Sequence, residues 1–254
     1  MTTASTSRDF DLISAVYDET RRPLDAKTLE GLLAFLHEHH WESLLEVGVG
    51  TGRIAQPLVE AGIGVVGIDA SKGMLHRAAA KGVSGLVRGT AYQLPFADRS
   101  VDVALFVHVL HVLEDPWVGM TEAARVARHG VLAVMDRGPG RSWKERPDGD
   151  NPREVLRNLL AEAGYPDLLH RGPRAREEDI LRDHPPDEVR LLSDREVTEP
   201  LSRQIDMIAK RAYRHVLQVP PQVLDRAVAA AREKVGDRTI TFRRRESVVW
   251  WPME

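Results

Sequence analysis

Through the first half of the chain, short apolar runs alternate with segments in which apolar residues recur every three or four positions. Between Thr28 and His39 the residues Leu29, Leu32, Leu33 and Leu36 follow helical spacing, and Trp41 stands at the turn after them. Ser43-Leu44-Leu45-Glu46-Val47 is then a short apolar run ending in glycines, the pattern of a buried parallel strand. A helix beginning near Gly52 carries Ile54, Ala55, Leu58 and Val59 on one face. Residues 64–69 read as the second strand and residues 72–81 as the second helix. Further strands are expected at 85–88, 101–107 and 130–135, with helical segments between them. The alternation predicts an α/β fold with a mostly parallel sheet and helices on both faces.

After Asp136 the pattern changes. Residues 137–152 are rich in Gly, Pro and charge and read as a mobile connection. Residues 151–164 read as a helix with Pro152 in its first turn and Gly164 at its end. A short strand is expected at 189–192, helices at 201–216 and 221–235, and a long antiparallel closing strand at 239–251. Residues 1–136 are thus expected to form the core with an N-terminal helical cover. Residues 137–254 continue the same domain with an inserted helical lid and the closing strands.

Composition narrows the function classes. A length of 254 residues suits one sizeable α/β domain with an insertion, and 43% hydrophobic with 29% charged residues is the balance of a globular enzyme. A formal net charge of -3 supplies no positive field toward nucleic acid or anionic lipid, and Arg243-Arg244-Arg245 reads as solvated strand positions. The absence of cysteine removes disulfides, thiolate zinc sites and a cysteine nucleophile, and fits a reducing cytoplasm. The polar N-terminus lacks the apolar centre of a signal peptide, and no stretch reaches the roughly 20 apolar residues of a membrane span. A cytoplasmic protein without membrane insertion is expected.

The candidate chemistry begins at Glu46-Val47-Gly48-Val49-Gly50-Thr51-Gly52, between a strand and a helix, where glycines let the backbone turn sharply and approach a ligand. A dinucleotide fingerprint places its third glycine at position 53, which is Arg53, so a dehydrogenase is the weakest reading. Asp69 ends the next strand, where a carboxylate can accept hydrogen bonds from both hydroxyls of a ribose. The bland alternatives are a structural turn for the glycines and a helix cap for Asp69.

Glycines at 48, 50 and 52 resemble the first motif, E/D-x-G-x-G-x-G, of the class I S-adenosylmethionine-dependent methyltransferases, which have a Rossmann-like fold. Gly89-Thr90-Ala91-Tyr92-Gln93-Leu94-Pro95-Phe96 resembles the family's G-D-A-x-x-L-P-F stretch near the adenine, with Thr90 in place of the usual Asp. Asp102, residues 106–111 and Glu114-Asp115-Pro116 resemble its fourth strand and following loop, in the branch of quinone-biosynthesis and generic small-molecule methyltransferases. Tyr17-Asp18-Glu19-Thr20-Arg21-Arg22-Pro23 resembles the opening Y-D-x-x-R segment that folds over the cofactor. The resemblance implies S-adenosylmethionine as cofactor, S-adenosylhomocysteine as product, and contacts from Tyr17, Arg22, Glu46, Gly48, Gly50, Gly52, Asp69, Ala70, Thr90, Ala91 and Val107. Arg22 is either a partner of the methionine carboxylate or a solvent-facing salt bridge.

The implied activity is methyl transfer to a small-molecule acceptor, with O-, N- and C-methylation all open. If a proton must be removed, His108 and His111, at the C-terminal end of the fourth strand, are the base candidates. Packing beside the cofactor and an ordinary helix position are their bland readings. Their H-x-x-H spacing has no third ligand to complete a metal site. Trp143, Tyr165 and Tyr213 are candidates for an aromatic acceptor pocket, or for core. A protein or RNA acceptor, and a non-catalytic S-adenosylmethionine-binding module, are the competing functions.

Overall fold

The computed structural model describes residues 3–21, 24–136, 152–166 and 177–253. Five strands, β1 (Ser43–Val47), β2 (Gly64–Asp69), β3 (Leu86–Arg88), β4 (Val103–Val107) and β5 (Val131–Asp136), run parallel. Two long strands, β6 (Glu188–Pro200) and β7 (Thr239–Trp251), complete the sheet in the order β3-β2-β1-β4-β5-β7-β6. Strand β7 pairs antiparallel with both β5 and β6. The helices are α1 (Thr3–Thr20), α2 (Ala26–Glu38), α3 (Ala55–Glu60), α4 (Lys72–Ala80), α5 (Pro116–Val126), α6 (Pro152–Glu162), α7 (Glu177–Asp183), α8 (Ser202–Ala209) and α9 (Pro221–Val235). The expected α/β architecture, Rossmann-like with an antiparallel closing strand, is the one observed. No helix among the described residues is long and apolar enough to cross a membrane.

Both sheet faces are buried, which is why the parallel strands read as unbroken apolar runs. On one face Leu45, Val47, Ala104, Phe106, Ala133 and Met135 pack with Met120, Ala123 and Val126 of α5. On the other, Leu44, Leu105, Leu132 and Val134 meet Leu32, Phe35 and Leu36 of α2 and Leu58 of α3. Strand β4 starts at Val103 rather than 101 because Asp102 turns to hold the strand edge. Its Oδ2 accepts from the backbone N–H of Glu42 and Ser43 at 3.0 and 2.9 Å, and Val101 bridges to Ala127 instead.

The second half departs from expectation in three places. Strand β6 runs from 188 to 200, far beyond the apolar 189–192, because its outer part is one side of a two-stranded ribbon tied largely by polar side chains: Asp194 with Arg243 and Arg245, and Thr198 with Thr241. Helix α7 was not expected; its Ile180 and Leu181 join the sheet's core beneath Trp251. The anticipated helix at 201–216 stops at Ala209, where Arg211 takes φ +54° and its guanidinium caps the carbonyls of Val216 and Leu217.

Pairing of β7 with β5 ends at Glu246, so residues 239–245 and their β6 partners extend past the parallel sheet. That ribbon carries α8 and α9, which with α6 enclose a third core of Leu156, Leu160, Ile205, Ile208, Val216, Leu224, Val228 and Val235. This helical cap has its own interior, separate from the two sheet cores. Substituting Ile205 by Ala removes packing worth about 2–5 kcal/mol. Hydrogen exchange is expected to lose protection in α6, α8 and α9 while β1, β4 and β5 keep theirs; equal losses in both would show one cooperative unit instead.

Candidate active site

At the C-terminal edge of the sheet the chain leaves β1 through a turn closed by backbone bonds. The N–H groups of Gly48 and Val49 both donate to the Ile68 carbonyl, at 2.8 and 3.0 Å. Gly48, Gly50 and Gly52 have φ of +76°, +56° and +73°, a region that other residues enter only with strain. A Cβ at Gly48 would lie 2.7 Å from Val109 Cγ2, whereas one at Gly50 would meet nothing nearer than 3.9 Å. Gly50 therefore presents bare backbone to open space, as close approach to a ligand requires.

Asp69 fastens this turn to the next strand. Its Oδ2 accepts from the N–H of Gly50 at 2.9 Å and its Oδ1 from the N–H of Ser71 at 2.8 Å. It is not the cap of α4; Ser71 is, accepting from the N–H of Met74. Burial pushes the Asp69 carboxyl above its ordinary range against the opposing pull of these two N–H groups. Each oxygen retains a second lone pair, so the geometry leaves the ribose role available. Ala70 follows, half-buried, its carbonyl accepting from Arg88 Nε.

Glu46, one residue before the end of β1, is fully enclosed, and its Oε2 has no hydrogen-bond partner. Burial pushes its carboxyl up to about 8, helped by Asp69 and opposed by the Arg53 guanidinium. Sequence reasoning used Arg53 only to exclude a dinucleotide turn. In the structure it faces Glu46, with Tyr17, Arg21 and Arg244 also within electrostatic reach.

Helix α1 lies over the turn, the cover expected from the opening segment. Asp11 Oδ1 accepts from Ser71 Oγ at 2.6 Å and from the N–H of Gly73 at 2.7 Å, and Asp18 accepts from Thr51 Oγ1 and pairs with Lys81. The Arg21 guanidinium sits 4.8 Å from the Tyr17 ring centre and 5.0 Å from that of Tyr213. Tyr17 and Tyr213, far apart in sequence, are thus joined through Arg21, which also donates to the Ala212 carbonyl. Arg22 and Trp143 lie outside the described residues.

The remaining candidates spread around this edge. Val107 is buried, Ala91 packs in the core beside α5, and half-buried Thr90 makes a bridge with Gln93. Tyr165 packs in the cap interior. His108 has its Nε2 3.6 Å from Glu246 Oε1, while His111 Nδ1 is 4.0 Å from Glu177 Oε1 and its side chain is more exposed. Glu246 was not singled out from sequence; within the Arg-rich end of β7 it resembles any polar strand position.

Comparison with known proteins agrees with the geometry. Residues 45–135 match the family described as a methyltransferase domain. A methyltransferase of undetermined specificity from Mycobacterium marinum is 38% identical over 96 residues, which is 37% of this chain and 38% of that protein. The alignment therefore spans well under half of the curated relative's length. Among solved structures, a SAM-dependent methyltransferase from Thermotoga maritima superposes with a TM-score of 0.50 at 24% identity, covering 76% of this chain and 84% of the other. A protein from an antibiotic biosynthesis pathway of Anabaena variabilis superposes with a TM-score of 0.54 at 14% identity, covering 89% and 98%. At these identities the superpositions establish the fold.

The raised Glu46 carboxyl has a consequence for stability. In the unfolded chain Glu ionises near its ordinary 4.5, whereas in the fold it keeps its proton up to about 8. The folded state therefore holds the extra proton between those values. Its contribution is complete below about 4.5 and declines as pH rises toward about 8. Glu46→Gln is expected to remove that decline. Denaturant unfolding of parent and variant at about pH 5 and about pH 8 checks it; equal pH slopes would show that Glu46 ionises freely.

Proposed function

From the match of residues 45–135 to a methyltransferase domain, we propose that the protein transfers a methyl group from S-adenosylmethionine to a small-molecule acceptor. The observation that carries the reading is the Gly48–Gly52 turn fastened to Asp69, bare on its Gly50 side and ending beside a buried, unpartnered Glu46 oxygen. A cofactor bearing a diol suits that acceptor set. Asp69 has lone pairs left for ribose hydroxyls, and the neutral Glu46 carboxyl leaves an unpartnered oxygen beside the turn. The absence of a third glycine at Arg53 disfavours a pyrophosphate there.

When bound, the cofactor supplies a methyl group already activated by a sulfonium, so the protein's part is alignment and exclusion of water. Helix α1 shields the glycine turn through Asp11 and Asp18, and Arg21 links it to Tyr213 of the helical cap. The acceptor would lie between the end of β4 and the cap, reached by His108 and bordered by Tyr213. A net charge of -3 offers no broad basic face for RNA, which favours a small acceptor.

Titration calorimetry tests the reading: S-adenosylhomocysteine is expected to bind and NADH is not. Asp69→Ala removes hydrogen bonds to a charged group worth about 1.5–3 kcal/mol, so affinity should fall roughly ten- to hundred-fold. Affinity for NADH alone, or an Asp69→Ala variant that binds S-adenosylhomocysteine like the parent, would overturn the assignment.

A further inference from the structure

Behind His108 lies a buried polar cluster that the cofactor turn does not use. Glu246, on β7 opposite Asp136 of β5, is only 1% exposed. Its Oε2 accepts from Thr28 Oγ1 of α2 at 2.7 Å, and Ser193 of β6 lies 2.8 Å from that hydroxyl. Its Oε1 accepts from Arg244 at 2.7 Å and faces His108 Nε2 at 3.6 Å. Burial pushes the Glu246 carboxyl up, but His108, Arg244 and Thr28 together outweigh it and hold it down at about 2. At any ordinary pH a fixed negative charge stands behind the imidazole.

The imidazole itself is held in an unusual place. His108 has φ +54°, a left-handed backbone conformation that a non-glycine residue keeps only where the surroundings impose it. The next residue, Val109, packs against the glycine turn at Gly48, so His108 stands between that turn and Glu246 of β7. With Nε2 turned to Glu246, Nδ1 makes no hydrogen bond to the described residues, and the ring is about a quarter exposed. A carboxylate behind Nε2 keeps the proton there and leaves Nδ1 with its lone pair.

We propose that Glu246 is a positioning residue that holds His108 as the proton acceptor for a hydroxyl-bearing substrate, a phenol or an enol. This rests on the methyltransferase reading above. A neutral amine is nucleophilic without help, whereas a hydroxyl gains most from a base in place. The hydroxyl proton passes to Nδ1 of His108 as the oxygen's electron pair forms the bond to the methyl carbon. The electron pair of the broken carbon–sulfur bond stays on sulfur, giving a neutral thioether, and the imidazolium then returns its proton to water. The charge gained on His108 is balanced by Glu246. Arg244 on β7 pairs with Glu246, and Arg53 lies within electrostatic reach of Arg244; on the turn after His108, His111 faces Glu177 of α7.

Two readouts independent of turnover test this. The ring-nitrogen NMR signals of neutral His108 are expected to place its proton on Nε2 in the parent, to shift toward the Nδ1 tautomer in Glu246→Gln and to return in Glu246→Asp. A purely structural buried ion pair with Arg244 would leave the tautomer in place, and an unmoved tautomer in a folded variant overturns the pairing. The second probe is 4-nitrophenol, whose anion and neutral form absorb differently. Bound to the parent with S-adenosylhomocysteine, it is expected to show the anion's spectrum at a pH where the free phenol is mostly neutral. His108→Asn, a side chain tolerated at positive φ, should abolish that shift while S-adenosylhomocysteine affinity stays within about two-fold. Neutral 4-nitrophenol in the parent, or no binding, overturns the hydroxyl-acceptor class. Failure of the parent to bind S-adenosylhomocysteine overturns the methyltransferase reading instead, so the two fail separately.

Discussion

The tie from Asp69 to the backbone of Gly50 and Ser71 is the constraint around which this end of the molecule is arranged. It joins the ends of two adjacent strands through one buried carboxylate, and the cost of enclosing that charge is offset by N–H groups which the turn would otherwise leave unsatisfied. Three positive-φ glycines are tolerable because the turn they form is held at both ends. Ser71, fixed by Asp69, caps α4 and in turn presents its hydroxyl to Asp11, so the docking of α1 depends on the same carboxylate.

Two buried glutamates on neighbouring parts of the sheet edge show how environment sets chemistry. Glu46 has few donors around it, and burial leaves it holding its proton to about 8. Glu246, just as enclosed, is met by Thr28, Arg244 and His108 and stays ionised down to about 2. One residue type thus supplies a neutral, receptive wall beside the glycine turn and a permanent negative charge behind an imidazole. The difference lies in the donors from α2 and β7, elements far from each other in sequence.

The helical cap adds a third part with its own interior, carried on a ribbon rather than packed into the sheet cores. Its link to α1 is narrow and specific: Arg21 against Tyr213 and the Ala212 carbonyl, and Glu19 paired with Lys210. A cap that meets α1, among the described residues, through contacts of this kind can shift relative to the turn at modest cost.

Periodicity alone located β1, β2, β7 and α9 to the residue and came close for β4, β5, α2 and α4, because a strand buried on both faces or a helix buried on one must write its environment into its side chains. The glycine spacing and Asp69 likewise announced a sharp turn at the end of β1. The outer half of β6 was invisible, since a ribbon paired through Asp194, Arg243, Thr198 and Thr241 carries no apolar signature. Helix α7 is too short to show a period, and the break at Arg211 comes from carbonyls that only the folded chain brings to its guanidinium. His108 was legible as a histidine at a strand end, but its partner was not. Local sequence determined the turn and the strands because their chemistry is between near neighbours; tertiary structure alone decided the protonation of Glu46 and the pairing of His108 with Glu246, because burial and charge depend on what the fold brings from a hundred residues away.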